Sequence, residues 1–323
     1  MSQVVRVREA GGPEVLQLEE RDPPNPGAGQ VRVAVRAAGV NFIDVYFRTG
    51  LYPRPLPFDL GLEGAGVVEA VGEGVTAWAA GDRVAWATGP GSYADHVIVS
   101  EAAIVRVPDG VEDEQAGAVM LQGMTAHYLA HGVRETKPGD VALVHAAAGG
   151  TGLLLVQLLV GAGARVIGTC GSAAKEALVR GAGASDVVRY DEVDFSKAVR
   201  SLTDGRGVDV VYDGVGKDTF DGSLASLRPR GLLALFGQAS GPVPPVDLQR
   251  LNQGGSLFVT RPSLAHYVAD RAELELRAAA VLNAVAGGSL DVSIGGLFAL
   301  ADAADAHRAL EGRGTSGKLL LVP

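Results

Sequence analysis

The pattern of hydrophobic and polar positions changes character near residue 140. Before that point, short β-type runs are separated by Gly and Pro turns, as in VVRVRE, VRVAVRAAG, AGVVEAVGEGV and DRVAWA. Such runs predict a mainly antiparallel, partly barrel-like β domain. Within this part of the chain we expect a short helix over 41–48 and a longer helix over 114–131.

Beyond residue 140, apolar β-type segments alternate with helical patterns. This alternation predicts an α/β domain with a doubly wound, six-stranded parallel sheet of the Rossmann type. From about Leu264 we expect a long Ala-rich helix, a short helix over 301–310, and a last strand, KLLLV, that returns to the first domain. The six predicted strands are VALVH at 141, RVIGT at 165, DVVRY at 186, VDVVYD at 208, LLALF at 232 and SLFVT at 256.

Composition narrows the class of protein. The chain has 323 residues, enough for two domains, and its 47% apolar and 20% charged residues are typical of a globular enzyme. A net charge of −9 without a basic run argues against nucleic acid or anionic membrane as a partner. Cys170 is the single cysteine, which excludes an intrachain disulfide and a cysteine-based structural zinc site. No signal-like or membrane-spanning segment is evident, so we expect a cytoplasmic protein.

The segment VALVHAAAGGTG at 141–152 carries the clearest chemistry. It predicts a buried strand, a tight turn of small residues and the start of a helix, which is the setting of a dinucleotide-binding fingerprint. Ala147 stands where the first glycine of that fingerprint is usual, and a turn that only packs a strand against a helix is the alternative. The residues predicted to contact a pyrophosphate are Ala148, Gly149, Gly150, Thr151 and Gly152.

The end of the second predicted strand bears on the choice between NAD and NADP. Gly171 and Ser172 follow this strand, and no acidic residue is available to bind a ribose 2′-hydroxyl. Lys175 follows one helical turn later, and Tyr190 ends the next strand. These donors favour NADPH, the alternative being a solvated helix lysine and a packed tyrosine.

Several longer motifs together resemble one family. The chain is similar to the zinc-independent quinone oxidoreductases (zeta-crystallin-like) of the medium-chain dehydrogenase/reductase superfamily, over nearly its full length. The resemblance implies a GroES-like catalytic domain over 1–122 and 265–323 and a Rossmann NADPH-binding domain over 123–264. The motifs are GGPEVL at 11, AAGVNFIDVYFRTGLYP at 37, GLEGAGVVEAVGEGV at 61, GDRVAW at 81, GDVALVHAAAGGTGLLLVQ at 139, VVYDGVG at 210 and LNQGGSLFVTRPSL at 251.

The resemblance also implies a site without a metal. Zinc-dependent relatives place a cysteine ligand where Asn41 stands and a histidine where Leu62 stands. The remaining carboxylates, Asp44 and Glu63, lack the nitrogen or sulfur ligands that zinc prefers, and we expect them to orient neighbouring groups. The implied activity is NADPH-dependent reduction of quinones, by metal-free electron or hydride transfer in the interdomain cleft.

Site residues follow from the resemblance, each with a structural alternative. Asn41 is expected to hold the nicotinamide ribose or the acceptor oxygen, or else to cap the following helix. Tyr46 and Tyr52 can donate to a carbonyl oxygen or stack on a quinone ring, or else serve in aromatic packing. Thr125 is expected near the nicotinamide, or else bonded to its own helix backbone. Arg261 is expected at the active-site cleft or at a dimer seam.

Further cofactor contacts are expected at the carboxyl ends of the later strands, where open α/β sheets bind ligands. Lys318, at the start of the last strand, is expected to reach the cofactor, or else to be a solvated lysine. The loop residues expected to line the nicotinamide half are Val215, Gly216, Phe236, Gly237 and Ser240.

One other enzyme class, one non-catalytic function and one assembly state remain to be weighed. An enone or enoyl reductase shares this fold and cofactor but needs a proton donor, a role open to Tyr46 or Tyr52. A non-catalytic NADPH-binding protein would keep the fingerprint without turnover. Residues 256–262 are expected to form an edge strand that pairs with a second copy, giving a homodimer.

Overall fold

The computed structural model describes all residues from Met1 to Pro323 and divides into two units. The first unit combines Met1–Met124 with Val268–Pro323, and the second comprises Thr125–Tyr267. None of the helices combines the length and the apolar character needed to cross a lipid bilayer.

Strands β1 to β8 and β15 to β16 belong to the first unit, and strands β9 to β14 belong to the second. In chain order they are β1 (Ser2–Val7), β2 (Leu16–Arg21), β3 (Gln30–Val40), β4 (Phe58–Asp59), β5 (Glu63–Val71), β6 (Arg83–Trp86), β7 (His96–Ser100), β8 (Val105–Arg106), β9 (Val141–Val144), β10 (Arg165–Cys170), β11 (Asp186–Arg189), β12 (Val208–Asp213), β13 (Leu227–Leu235), β14 (Phe258–Thr260), β15 (Ile294–Ala299) and β16 (Lys318–Val322).

Ten α-helices connect these strands, and short 3₁₀ segments lie at Pro13–Val15, Glu101–Ala103 and Leu300–Asp302. The helices are α1 (Phe42–Arg48), α2 (Asp113–Tyr128), α3 (Gly150–Gly161), α4 (Ala173–Gly181), α5 (Phe195–Leu202), α6 (Phe220–Ser226), α7 (Gln249–Gln253), α8 (Leu264–Tyr267), α9 (Arg271–Ala286) and α10 (Ala303–Glu311).

The second unit is built on one six-stranded sheet in the order β11-β10-β9-β12-β13-β14. All neighbouring strands are parallel, which confirms the predicted doubly wound sheet. Leu143, Ile167, Val211 and Leu233 are fully buried in its core. The strand order reverses between β9 and β12, and such a switch point is where open α/β sheets bind ligands.

The first unit contains a seven-stranded sheet in the order β15-β16-β3-β5-β6-β8, with β7 also paired to β3, and a three-stranded sheet in the order β2-β1-β4. The last strand, β16, pairs antiparallel with β3, so that Leu320 lies opposite Gly39. The expected return of the C-terminus to the first domain is therefore confirmed. Val33, Trp86 and Tyr93 lie fully buried in the core of this unit.

Three predicted elements differ in extent. The long helix expected from Leu264 is interrupted, because the Asp270 side chain accepts a hydrogen bond from the Glu273 N–H at 2.9 Å and starts α9 anew. The helix predicted over 114–131 ends at Tyr128 and continues as a π-helical turn over Leu129–Val133. Strand β13 begins before the predicted LLALF segment, at Leu227.

Candidate functional site

The turn between β9 and α3 has the geometry of an anion-binding site. Ala146 takes a left-handed conformation with φ of 48°, and the Gly149 N–H closes the turn on the Ala146 carbonyl at 2.9 Å. The first hydrogen bond of α3 runs from the Leu153 N–H to the Gly149 carbonyl, so the N–H groups of 150–152 point beyond the helix end. Backbone donors at a helix N-terminus favour a phosphate.

Gly152 is required by close packing within this turn. A Cβ atom there would lie 2.5 Å from the Ala146 oxygen and 2.7 Å from the Ala147 Cα, and both are backbone atoms that cannot move aside cheaply. The structure thus brings the predicted pyrophosphate residues together at one helix end. They are Ala148, Gly149, Gly150, Thr151 and Gly152.

The four residues predicted to select NADPH also meet at one edge of the sheet. Ser172 precedes α4 and its Oγ accepts from the Lys175 N–H at 3.3 Å. A Cβ atom on Gly171 would lie 2.7 Å from the Tyr190 hydroxyl, so this phenol lies directly against Gly171. Tyr190 is 51% exposed and lies beyond β11. These four residues supply one cationic side chain and two hydroxyl groups, and none of the four is acidic. Such a group suits a 2′-phosphate.

The loops that follow β12 and β13 are tied to each other. The Ser240 N–H and the Ser240 hydroxyl both donate to the Val215 carbonyl, each at 2.8 Å. Gly216 has φ of +92°, a conformation that favours glycine. A Cβ atom on Gly237 would lie 2.4 Å from the Gly214 oxygen, which brings these two loops into backbone contact. The predicted residues Val215, Gly216, Phe236, Gly237 and Ser240 therefore form one surface at the carboxyl ends of the strands.

In the first unit, the Asn41 side chain lies at the centre of a buried polar cluster. Its amide nitrogen donates to the Gly39 carbonyl at 3.1 Å and to Glu63 Oε2 at 2.8 Å. Its amide oxygen accepts from Lys318 Nζ at 2.7 Å and from Gln122 Nε2 at 3.4 Å. These four contacts use both donors and both acceptor sites of the amide. Asn41 is also the residue that precedes α1, where its N–H donates to the Asp44 side chain at 2.9 Å while its own side chain is engaged with the cluster.

Lys318 is buried and paired rather than solvated. Its side chain is 1% exposed, and Nζ lies 2.5 Å from Glu63 Oε2. Burial lowers the pKa of Lys318, and the Glu63 carboxylate acts in the opposite direction. Glu63 also accepts from the Leu121 N–H at 2.7 Å, so it orients neighbouring groups as the sequence predicted.

This donor set does not fit zinc. The Lys318 ammonium lies where Asn41 and Glu63 converge, and a second cation there would be repelled. Asn41 and Glu63 supply only oxygen acceptors to that point, whereas zinc prefers sulfur and imidazole nitrogen. No group of three or more His, Cys, Asp or Glu side chains is arranged to hold a metal ion anywhere in the chain.

A second buried network extends from Asn41 along α1. Asp44 Oδ2 accepts from the Asn41 N–H and from the Tyr93 hydroxyl, each at 2.9 Å. His307 contacts Tyr93 through Nε2 at 3.2 Å and Arg48 through Nδ1 at 3.1 Å. Because Arg48 can only donate, Nδ1 is the acceptor and Nε2 carries the proton towards Tyr93.

The titration of this network follows from its burial. Burial raises the pKa of Asp44 to about 7, against the opposing hydrogen bonds from Tyr93 and Asn41. Burial and the neighbouring Arg48 charge lower the pKa of His307 to about 3. The network therefore holds a neutral histidine and a carboxyl group that titrates near neutral pH.

The two candidate tyrosines lie together in an aromatic cluster. The rings of Tyr46 and Tyr52 meet edge to face with centroids 5.2 Å apart, and the Tyr52 N–H donates to the Tyr46 carbonyl at 2.9 Å. Phe47 packs against Tyr52 at 6.0 Å, and the Arg54 guanidinium lies 5.5 Å from the Phe47 ring centroid. The cluster contains both residues predicted to meet the acceptor, and it also satisfies the packing alternative.

Thr125 and Arg261 belong to the second unit. Thr125 lies near the end of α2 and is 8% exposed. Arg261 follows β14, and its charge acts on the buried Tyr128, whose ring stacks on Tyr267 with centroids 4.4 Å apart. Burial nonetheless raises the pKa of Tyr128 above its ordinary range.

Several polar residues of these clusters were missed in the sequence. They lie within otherwise apolar or helical patterns, and most of their partners are far away along the chain, although Thr219 and Ser223 contact Asp213 from 6 and 10 positions away. The sequence offered one indication, Asp213 at the end of the apolar strand VDVVYD. A carboxylate at the end of a buried strand needs polar partners, so it indicates a polar network rather than a purely apolar core. The missed residues are Arg48, Tyr93, Gln122, His145, Thr169, Asp213, Thr219, Ser223 and His307.

Comparison with known proteins places the whole chain among oxidoreductases. Residues 150–273 match the family model of zinc-binding dehydrogenases, and residues 27–109 match that of the alcohol dehydrogenase GroES-like domain. The GroES-like and Rossmann-type domains of the predicted fold class are thereby confirmed.

Full-length relatives include a quinone oxidoreductase of Pseudomonas aeruginosa, 46% identical over 100% of both chains. A 2-haloacrylate reductase of a Burkholderia species is 42% identical over 98% of both chains. Among solved structures, the quinone oxidoreductase of Escherichia coli in complex with NADPH superposes with a TM-score of 0.97, at 42% identity, covering 99% of this chain and 100% of that chain.

Proposed function

The chain belongs to the quinone oxidoreductases of the medium-chain dehydrogenase/reductase superfamily, and from that premise we propose that it uses NADPH to reduce quinones. The observation that carries this proposal is the pairing of an anion-binding turn after β9 with the Ser172, Lys175 and Tyr190 group after β10 and β11. The proposal is supported by full-length relatives named quinone oxidoreductase, one of them solved with NADPH.

The residues of the second unit fit NADPH. The N–H groups of 150–152 would hold the pyrophosphate, and Lys175 with Tyr190 would hold the 2′-phosphate. The loops around Val215 and Phe236 would cover the nicotinamide half and exclude water from it. When bound, NADPH supplies the reducing equivalents, and a quinone also takes up protons to become a hydroquinone.

On the acceptor side, we assign the quinone ring to the pair Tyr46 and Tyr52, which supplies phenolic donors; Tyr52 is the more accessible ring, and Tyr46 is 8% exposed. The Asn41 amide already bonds to four groups, Glu63, Lys318, Gly39 and Gln122. It has no hydrogen-bonding position left for the acceptor, so we assign Asn41 to positioning the start of α1. A quinone is already electrophilic, and its reduction therefore needs no strong Lewis acid.

A second candidate is reduction of an activated alkene. It is favoured by the 2-haloacrylate reductase that is 42% identical to this chain. Such a reaction needs a proton at the carbon next to the activating group, and the phenol of Tyr46 or Tyr52 is the assigned donor.

Initial rates of NADPH oxidation with 1,4-benzoquinone, a larger ortho-quinone and an alkyl enone separate these functions. Turnover with the quinones and not with the enone is expected. Turnover with the enone alone would replace the proposal with alkene reduction, and loss of that activity in Tyr46→Phe or Tyr52→Phe would identify the donor. Tight NADPH binding without any turnover would indicate a non-catalytic binding protein.

We further propose that the protein is a cytoplasmic homodimer joined through β14. This strand ends the six-stranded sheet, and its Phe258 and Val259 are 60% and 39% exposed. An apolar edge strand favours pairing with a second copy, which would extend the sheet across a two-fold axis.

A further inference from the structure

Asp213, the last residue of β12, is fully buried and collects hydrogen bonds from the loop that follows it. Its Oδ1 accepts from the Val215 N–H at 2.8 Å and from the Gly216 N–H at 3.0 Å. The Thr219 hydroxyl donates to both carboxylate oxygens, at 2.9 and 2.7 Å. These donors compensate the desolvation of the carboxylate and at the same time set the path of 214–216.

The main chain of Asp213 holds the neighbouring loop as well. Its carbonyl accepts from the Phe236 N–H at 2.8 Å and from the Gly237 N–H at 3.4 Å. One residue therefore organises both loops at the carboxyl ends of β12 and β13.

A chain of side chains links Asp213 to the fingerprint turn. The Ser223 hydroxyl donates to Asp213 Oδ2 at 2.9 Å, so the contact of 3.0 Å between Ser223 Oγ and His145 Nε2 has the histidine as donor. His145 Nδ1 then accepts from the Thr169 hydroxyl at 3.0 Å. His145 is the residue directly before the turn that starts at Ala146, and burial lowers its pKa, which suits a neutral ring.

Although a serine, a histidine and an aspartate are present, Ser223, His145 and Asp213 do not form a nucleophilic triad. In such a triad the histidine lies between the serine and the aspartate, whereas here Ser223 lies between His145 and Asp213. All three are 2% exposed or less, so Ser223 has no surface on which to attack a substrate. The arrangement is therefore suited to holding backbone in place.

We propose that Asp213 is a positioning residue for the cofactor, and that Ser223 and His145 couple it to the fingerprint turn. The network presets the two loops and the turn before NADPH binds, and so lowers the ordering cost of binding. The inference rests on the proposed function, since it takes the loops around Val215 and Phe236 to cover the nicotinamide half.

The test compares Asp213→Asn and Ser223→Ala with Ser226→Ala. Ser226 lies in the same helix and is equally buried, but its hydroxyl bonds only to the Gly222 carbonyl at 2.8 Å. Each variant is titrated with NADPH and, separately, with 2′,5′-ADP, which carries the 2′-phosphate half and lacks the nicotinamide. Melting temperatures are recorded alongside.

The expected result is a Kd for NADPH raised about tenfold in Asp213→Asn and about threefold or more in Ser223→Ala. The Kd for 2′,5′-ADP, whose 5′-phosphate meets the turn but which has no group at the two loops, should rise less than the Kd for NADPH in both variants, and Ser226→Ala should match the wild type for both ligands. Equal NADPH affinity in all three variants, or equal weakening of both ligands, would overturn the inference. Binding is read without turnover, so a wild type that binds NADPH but reduces no quinone refutes the proposed function alone.

Discussion

The Asn41 amide shows what a single residue can do when each of its hydrogen-bonding positions is used. Its neighbours Glu63 and Lys318 form an ion pair in which both side chains are 1% exposed or less. The pair joins β5 to β16, and the Asn41 amide contacts both members. In this chain a fixed ammonium stands beside the position where zinc-dependent relatives have a ligand.

Lys318→Met tests how much the ion pair between Lys318 and Glu63 contributes to the free energy of unfolding. The substitution leaves the Glu63 carboxylate buried without a cation, which should lower the free energy of unfolding by about 3–5 kcal/mol. The double variant Lys318→Met/Glu63→Gln should recover much of that loss, because neither partner is then left charged. Urea unfolding measures both, with Lys197→Met, whose lysine side chain is 85% exposed, as the control. Unfolding of Lys318→Met like the wild type would contradict the ion pair.

Asp44 makes stability depend on pH with a definite sign. Its folded pKa of about 7 lies above the value of about 3.9 in an unfolded chain, so folding takes up a proton in this range. The contribution of Asp44 is thus fully present below about pH 4 and is lost as the pH rises through about 7. Its Oδ1, which has no hydrogen-bond partner, can carry that proton without breaking a bond.

Asp44→Asn removes the titrating group and keeps an oxygen for Asn41 and Tyr93. Between about pH 5 and about pH 8, the wild type should lose more melting temperature than the variant does. Lys318 and Glu63 remain nearby in both proteins, and their effects cancel in this comparison. Parallel pH profiles for the two proteins would show that Asp44 is ionised throughout.

Lys175→Ala tests the choice of coenzyme. A charge-assisted contact to a 2′-phosphate is worth roughly 1.5–3 kcal/mol, so NADPH binding should weaken about tenfold or more while NADH binding stays nearly unchanged. Titration of both coenzymes measures the difference, and Lys197→Ala on the exposed face of α5 is the matched control. Equal weakening of the two coenzymes would remove Lys175 from the 2′-phosphate site.

For single residues, the sequence indicated which side chains belong to the site. It did not indicate which groups these side chains contact. Asn41, Glu63 and Lys318 were all recognised, but Asn41 and Lys318 stand 277 positions apart in the chain. No local pattern reports such a contact, and Lys318 at a strand start resembles a solvated lysine. Its burial depends on the pairing of β16 with β3, which is a property of the sheet.

Among the elements, the strand, turn and helix over 141–161 follow most directly from local chemistry. The apolar strand and the small residues of the turn are visible in the sequence, and the close approach of Gly152 to Ala146 explains why a glycine is needed there. The interruption before α9 was less visible, because it depends on Asp270 acting as a cap within an Ala-rich stretch.

Two glycines of α3 offer a matched pair of substitutions. Gly152→Ala places a methyl group against the backbone of Ala146 and Ala147, which should distort the turn and weaken NADPH binding about tenfold or more. Gly161→Ala, at the other end of α3, meets no atom within 4 Å and should leave binding unchanged. Fluorescence titration with NADPH measures both. Normal binding by Gly152→Ala would show that the turn does not hold the pyrophosphate.

For the whole molecule, the order of strands in the second unit followed from a general rule. Six strands with intervening helices wind outward from β9 in both directions, because right-handed crossovers leave few other topologies. The first unit was harder to predict in detail, since its strands β7 and β16 pair with β3, which lies far from both in the chain. Gly295 and Gly296 in β15 also interrupt its strand pattern.

The proposed dimer can be tested at the edge of this sheet. Val259→Lys places a charge on β14 and should convert a dimer into a monomer, because a charged lysine on an edge strand opposes edge-to-edge pairing. Leu248→Lys, at a residue that is 74% exposed and outside the strand, should leave the mass unchanged. Sedimentation at micromolar concentration measures both. A wild type with the mass of a single chain would contradict the proposal.

The most direct test of the central claim is the stoichiometry of quinone reduction. NADPH and 1,4-benzoquinone are mixed with the enzyme under anaerobic conditions, with EDTA present, and NADPH consumed is compared with hydroquinone formed. We expect one hydroquinone for each NADPH, at a rate that EDTA does not change, because the Lys318 ammonium stands beside the position of a metal ligand in the zinc-dependent relatives. Failure to form hydroquinone, or loss of the reaction with EDTA, would contradict it.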